Sequence, residues 1–154
     1  GRDWDDADIN SFVLKYFKPA KICEEACFKT KYKTQTGEDS SEVDGVYGYV
    51  LPDGIVFSMQ GGDEGAPAEI YVDVNGLKGP NKIGYDYQEM SLFYDGSIDE
   101  AFINPDCKKD NSKCYGSYSS TQEIRDELYD SCLNGNGYGG CFGHLLNNNF
   151  KFDY

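Results

Sequence analysis

Histidine is nearly absent from this chain: 154 residues contain one, His144. Any Ser-His or Cys-His nucleophilic arrangement would pass through that single imidazole, and its neighbours Gly143 and Leu145 form no catalytic motif. It reads as a partly buried structural histidine. Acidic pairs such as Asp5 with Asp6 and Glu24 with Glu25 carry no catalytic signal, because 27 carboxylates make such pairs inevitable. Positive charge is scarce too. Fourteen Lys and Arg stand against 27 Asp and Glu, for a net charge of −13. Such a surface repels phosphate backbones and disfavours nucleic acid as a partner. No run of about 20 apolar residues exists to cross a bilayer. Nor is there a P-loop: glycines stand at 76, 79 and 84, and Lys82 is followed by Ile83. No internal repeat is present, and no catalytic residues are assigned.

Aromatic side chains are abundant. Thirteen Tyr and nine Phe, with 39% hydrophobic residues overall, give too much apolar surface for a disordered chain despite the acidity. The length suits one domain, residues 1–154, with a real core. Eighteen Gly, with many Asn and Asp, indicate short strands and many turns. The expected fold class is α+β. The one basic cluster, Lys15, Lys18, Lys21, Lys29, Lys31 and Lys33, is interspersed with Glu24 and Glu25 and reads as a solvated face.

Six cysteines form three sequence-local pairs: Cys23 with Cys27, Cys107 with Cys114, and Cys132 with Cys141. An even count with short loops points to disulfides in an oxidising compartment. Zinc is the competing reading, but only the first spacing suits it and His144 adds one ligand. Sequence does not fix connectivity; nearest-neighbour pairing is expected because each pair brackets a turn-like loop. The chain starts at Gly1 without a signal peptide, so an exporting segment is expected to have been removed or never included.

In chain order, residues 3–17 read as an amphipathic helix. Trp4, Ala7, Ile9, Phe12, Val13, Tyr16 and Phe17 recur near helical spacing, with acids early, Lys late and Pro19 as a stop. Its aromatic face reads as core, with the N-terminal end able to meet neighbouring copies in an assembly. A short turn is expected around Cys23 and Cys27, and an exposed polar loop from Lys31 to Asp44. The sheet region covers 46–103: strands at 46–51 and 55–59 flank the hairpin signal Pro52-Asp53-Gly54, and others fall at 68–74 and 89–94. Asp95-Gly96-Ser97 turns into an extended piece, 98–103. Region 104–154 is Cys-bracketed. In it, Ser120-Thr121-Gln122-Glu123 caps a second helix, Asn134-Gly135 stops that helix, and 150–154 alternates like a last strand.

The most informative stretch runs from Tyr71 to Asp86. A strand ends in Asp73-Val74-Asn75-Gly76, and then Gly79-Pro80-Asn81 and Gly84 punctuate a built turn. Asp73, Asn75, Asn81 and Asp86 supply short oxygen-bearing side chains. Calcium takes about six to eight hard oxygens on a sharply turning loop, so these four are the candidate ligands and calcium the one candidate cofactor. The loop lacks the terminal Glu of an EF-hand, and Lys78 and Lys82 lie nearby. Asx turns that need no metal are the alternative.

That stretch also resembles the signature of bacterial type IV pilin-like proteins, the prepilin and pseudopilin group. The likeness extends to Leu14-Lys15-Tyr16-Phe17-Lys18-Pro19 ahead of Cys23, and to Cys132 to Cys141. It closes with His144-Leu145-Leu146 and the Asn148-to-Tyr154 tail. The resemblance implies a helix packed on an antiparallel sheet of about four strands. It also implies a major or minor pilin, or a secretion pseudopilin, that assembles with copies of itself and related subunits. The family's leader-peptidase site, the Glu after it and the apolar half-helix are not in these 154 residues. The chain is therefore expected to be the head, anchored in the inner membrane through a helix it lacks, exposed on a pilus or a periplasmic pseudopilus, and monomeric alone. The rival expectation is a secreted binding or adhesion module for a glycan or host protein, with calcium as its candidate cofactor; a small secreted hydrolase is a distant third.

Overall fold

The computed structural model describes residues 4–23, 27–28, 31–40, 48–61, 68–76, 78–101, 122–134 and 139–153. It is an α+β fold whose described residues form six strands and three helices. Helix α1 spans Asp6–Tyr16. Asp5 caps it: its Oδ1 accepts from Asp8 N at 2.9 Å, while Asp8 Oδ2 accepts from Asp5 N at 3.3 Å. The helix closes at Phe17, and Lys18 takes the left-handed region (φ 47°) just before Pro19.

Strands β1 (Lys21–Cys23), β2 (Gly48–Val50), β3 (Val56–Gly61), β4 (Ala68–Asp73), β5 (Tyr87–Leu92) and β6 (Ile98–Glu100) form one antiparallel sheet in sequential order. The β2–β3 hairpin turns where Pro52-Asp53-Gly54 signalled it, with Leu51 N donating to Ile55 O at 2.9 Å. The β5–β6 turn uses Gly96 at φ 81°.

Period-2 alternation gives the sheet two unlike faces. On one, Tyr49, Phe57, Met59 and Ala68 bury against Ile9 and Val13 of α1. Each of those helix side chains contributes about 1.5–3 kcal/mol through burial. The other face is covered by a second layer. There Val56 and Tyr87 meet Phe28, Tyr32, Ile83 and the Cys132 and Cys141 side chains. Helix α2 (Gln122–Leu133) and helix α3 (Cys141–Asn147) belong to this layer. Cys132 is bonded to Cys141 and Cys23 to Cys27, nearest neighbours in both cases. The third expected bond, from Cys107 to Cys114, falls outside the described residues, as do Ser120 and Thr121 of the expected cap. Nearest-neighbour pairing therefore stands for two of the three pairs, and for Cys107 and Cys114 it remains an expectation from spacing.

Several expectations need correcting. The sheet has six strands where about four were expected, because the expected turn at Cys23 is instead strand β1, with Ile22 opposite Tyr49, and 98–100 is a full partner of β5. Residues 31–40 form no helix or named strand and six of the ten are exposed, as expected of a polar loop, but the segment is anchored in the fold. Tyr32, Thr34 and Ser40 are buried, and Lys33 bridges Lys82. These polar residues go inside because their groups are bonded: Tyr32 N donates to Ser40 Oγ at 3.0 Å. Residues 150–153 form no strand, since Asn149 and Phe150 turn left-handed (φ 53° and 60°) after α3. Val74 lies past the end of β4 and is exposed, because the backbone turns at Asp73.

Candidate functional site

Asp73 ends β4 and is fully buried. Its Oδ2 accepts from the Tyr32 hydroxyl at 2.6 Å and its Oδ1 from Asn75 N at 3.1 Å. Asn75 Nδ2 donates to Asp86 Oδ1 at 2.7 Å, and Lys82 N donates to Asp86 Oδ2 at 2.8 Å. Three of the four predicted ligands thus form one connected set. Asn81, left-handed at φ 56°, does not join it: with its amide oriented to satisfy its surroundings, the nitrogen donates to Lys78 O (3.1 Å) and Gly76 O (3.2 Å). Lys33 N donates to Asn81 O, and Ile83 N donates to Lys33 O, each at 2.9 Å, which ties the loop to segment 31–40.

Burial raises the Asp73 carboxyl above the usual range; the bonds from Tyr32 and the loop amides oppose the shift, and the Asp86 charge adds to it. Both carboxylates are engaged with N–H and O–H donors of the chain, so the loop holds its shape through its own bonds. Among the described residues no group of three or more His, Cys, Asp and Glu is placed to hold a metal ion. Asn75 Oδ1 is buried without a hydrogen-bond partner among them.

A second polar constellation lies under the α2–α3 layer, on strand positions that sequence reasoning passed over. Glu89 on β5 stands opposite Tyr71 on β4, and its Oε1 accepts from the Tyr87 hydroxyl at 3.0 Å. The Tyr71 hydroxyl donates to Glu69 Oε2 at 2.6 Å, which also receives Gln60 Nε2 at 2.8 Å. Burial, helped by the Glu100 and Glu69 charges, pushes the Glu89 carboxyl up to about 9, and the Tyr87 bond only partly offsets it. Burial and the Glu89 charge also push the Tyr87 hydroxyl up, so it remains a donor.

Glu100 closes the end of this face. Its Oε2 accepts from Gly143 N at 2.6 Å and its Oε1 from Ala101 N at 2.9 Å, which sets a carboxyl on the first turn of α3. Burial still raises it. Beside it, Arg125 of α2 grips buried Asp99 with two bonds, Nε to Oδ1 at 2.8 Å and NH2 to Oδ2 at 2.6 Å. Alternation marks these positions as polar and cannot show that a second layer covers them.

His144 on α3 stacks on Tyr129 with ring centroids 3.5 Å apart. Its Nε2 pairs with Asp153 Oδ1 at 2.7 Å. This ties the C-terminal tail to α3, and the pairing holds the Asp153 carboxyl below its usual range.

No family model, curated protein or solved structure matches the chain. Function therefore rests on the residues themselves.

Proposed function

We propose that this chain is the head of a type IV pilin-like filament subunit, a pilin or a secretion pseudopilin, and not an enzyme. The observation that carries the reading is α1. Its inner side chains, Ile9 and Val13, lie against the sheet. A row of rings borders that contact: Trp4 and Phe12, 4.9 Å apart, pack against the same core, Phe12 stands 5.0 Å from Tyr16, and Phe17 stands 5.1 Å from Phe57 of β3. A helix that packs on a sheet and leaves Tyr16 and Phe17 exposed at its C-terminal end suits a rod that also meets like rods. The built loop from Asp73 to Asp86 and the disulfide-closed C-terminal region are the other parts on which the resemblance rests. An apolar extension of α1 would anchor the precursor in the inner membrane and then bundle in the filament, with the head on the cell surface or in the periplasm. Such contacts are heterologous and open, so the head alone is monomeric at micromolar concentration. Antibody raised against the head should decorate filaments on the native cell or its secretion machinery in electron micrographs. Label spread through the soluble fraction alone would refute the reading.

A secreted binding module is the second reading, favoured by the C-terminal turn. Phe150 is 65% and Phe152 52% exposed, and Phe152 stacks on Tyr85 at 5.5 Å. Exposed rings of this kind suit the apolar face of a sugar. Saturable glycan binding lost in Phe152→Ala would support this module, and a flat glycan screen would remove it. Calcium at Asp73, Asn75 and Asp86 belongs to the same reading, and it requires these carboxylates to exchange their present donors for the ion.

A further inference from the structure

The charges of this chain are segregated. Residues 11–23 contain no Asp or Glu but hold Lys15, Lys18 and Lys21, in a protein of net charge −13. They form a continuous ribbon: the last turn of α1, the left-handed Lys18 and edge strand β1. The three lysines are exposed. So are Leu14 (43%), Tyr16 (62%), Phe17 (45%) and Ile22 (45%), four of the ten large exposed hydrophobics among the described residues. Lys15 Nζ stands 5.0 Å from the centre of the Tyr16 ring.

The opposite layer carries the complement. On α2, Glu123, Asp126, Glu127 and Asp130 fall three, four and seven residues apart on one exposed face. Like charges at that spacing disfavour a helix, and its last turn has no basic residue. The one basic residue of α2, Arg125, turns inward to Asp99. Within the fold Asp126 accepts from Asn147 Nδ2 at 2.7 Å and Glu123 suits the first turn of α2. The repulsion that Glu127 and Asp130 add on the exposed face is relieved by a cationic surface on another molecule.

We propose that residues 14–22 of one copy dock on the acidic face of α2 of a second copy. The two surfaces differ, one along the end of α1 and edge strand β1 and the other along α2 in the second layer, so the contact is head-to-tail and repeats without closing. The apolar side chains of the ribbon supply area, and the lysines supply register and partner choice. The contact rests on the filament reading for its use, and names which faces of neighbouring heads meet. Exposed ion pairs are individually weak, so the isolated chain associates only at high concentration and low salt.

The test is an NMR titration of the labelled chain to about millimolar concentration, first in low salt and then near 0.15 M, where charges are screened beyond about 8 Å. Shifts should grow together at 14–22 and at 123–130 and shrink with salt. The triple variant (Lys15→Glu, Lys18→Glu and Lys21→Glu) and the double variant (Glu127→Lys and Asp130→Lys) should each associate at least about tenfold more weakly. An equimolar mixture of the two should recover the association, because the reversed ribbon of one fits the reversed helix of the other. All five positions are exposed, and both variants should melt like the parent; Gln replacements serve if either does not. Three outcomes overturn the proposal: no recovery on mixing, shifts confined to the ribbon, or a ribbon that binds vesicles of about one-third anionic lipid without self-associating. Native filaments that assemble normally from the triple variant would refute this contact and leave the subunit reading standing. Recovery in solution by a chain that forms no filament would do the reverse.

Discussion

Replacing Glu89 with Gln should stabilise the protein at neutral pH and leave it unchanged in acid. Glu89 is 8% exposed in the middle of β5, with its carboxyl raised from 4.5 to about 9 by burial and by the Glu100 and Glu69 charges. The folded-state value lies above the unfolded one, so the folded chain holds the proton that the unfolded chain releases. Stability from this group is complete below about pH 4.5 and declines as pH rises toward 9. At pH 7 about two and a half pH units separate the medium from the unfolded value, at roughly 1.4 kcal/mol each. The cost is on the order of 3 kcal/mol. A Gln at this position does not titrate, and its amide oxygen still accepts from Tyr87. Urea midpoints for both proteins, disulfides intact, should coincide near pH 4 and separate progressively to pH 8. General repulsion among the carboxylates acts on both proteins and cancels in the difference. A constant gap across pH, or a variant less stable than the parent at pH 8, would refute the reasoning.

Ile9→Ala should cost about 2–5 kcal/mol, because it empties the buried joint between α1 and the β2–β4 face; thermal unfolding reads it. Tyr32→Phe should cost about 1–3 kcal/mol by leaving Asp73 buried with one donor fewer, while chelator should leave the melting temperature of the parent unmoved; a large drop on chelation would instead place a cation in the loop. Gly140→Ala should be among the most damaging single changes: Gly140 sits at φ 90° and a Cβ would run into the Leu128 carbonyl, so expression as soluble folded protein should fall sharply.

Legibility in the sequence followed the length and regularity of each element. Helix α1, the Pro52–Gly54 hairpin, strand β4 and the stop after α2 carry periodicity or punctuation over enough residues to be read. Strand β1 has three residues and α3 seven, with Gly143 inside, too short for either period to register. Segment 31–40 was legible as a polar loop but not as an anchored one, because hydroxyl and backbone bonds bury Tyr32, Thr34 and Ser40, residues that hydropathy sends to solvent. The same limit hid the acid–tyrosine face. Glu69, Tyr71 and Glu89 alternate correctly along their strands, yet alternation does not show that a second layer buries Glu89 and half-buries Glu69 and Tyr71. For the loop, three of the four residues singled out in the sequence, Asp73, Asn75 and Asp86, come together in one bonded set. The structure adds that Asp73, Asn75 and Asp86 already bond one another's donors, and that Asn81 serves the turn.

The N-terminal sequence and intact mass of the protein isolated from its native cell test the filament reading most directly. The expected result is a chain extended upstream of Gly1 by some 20 to 40 residues, apolar over the roughly 20 that a bilayer requires and beginning with an N-methylated residue. A native chain beginning at or near Gly1 would contradict the filament reading and turn attention to the exposed rings of the C-terminal turn.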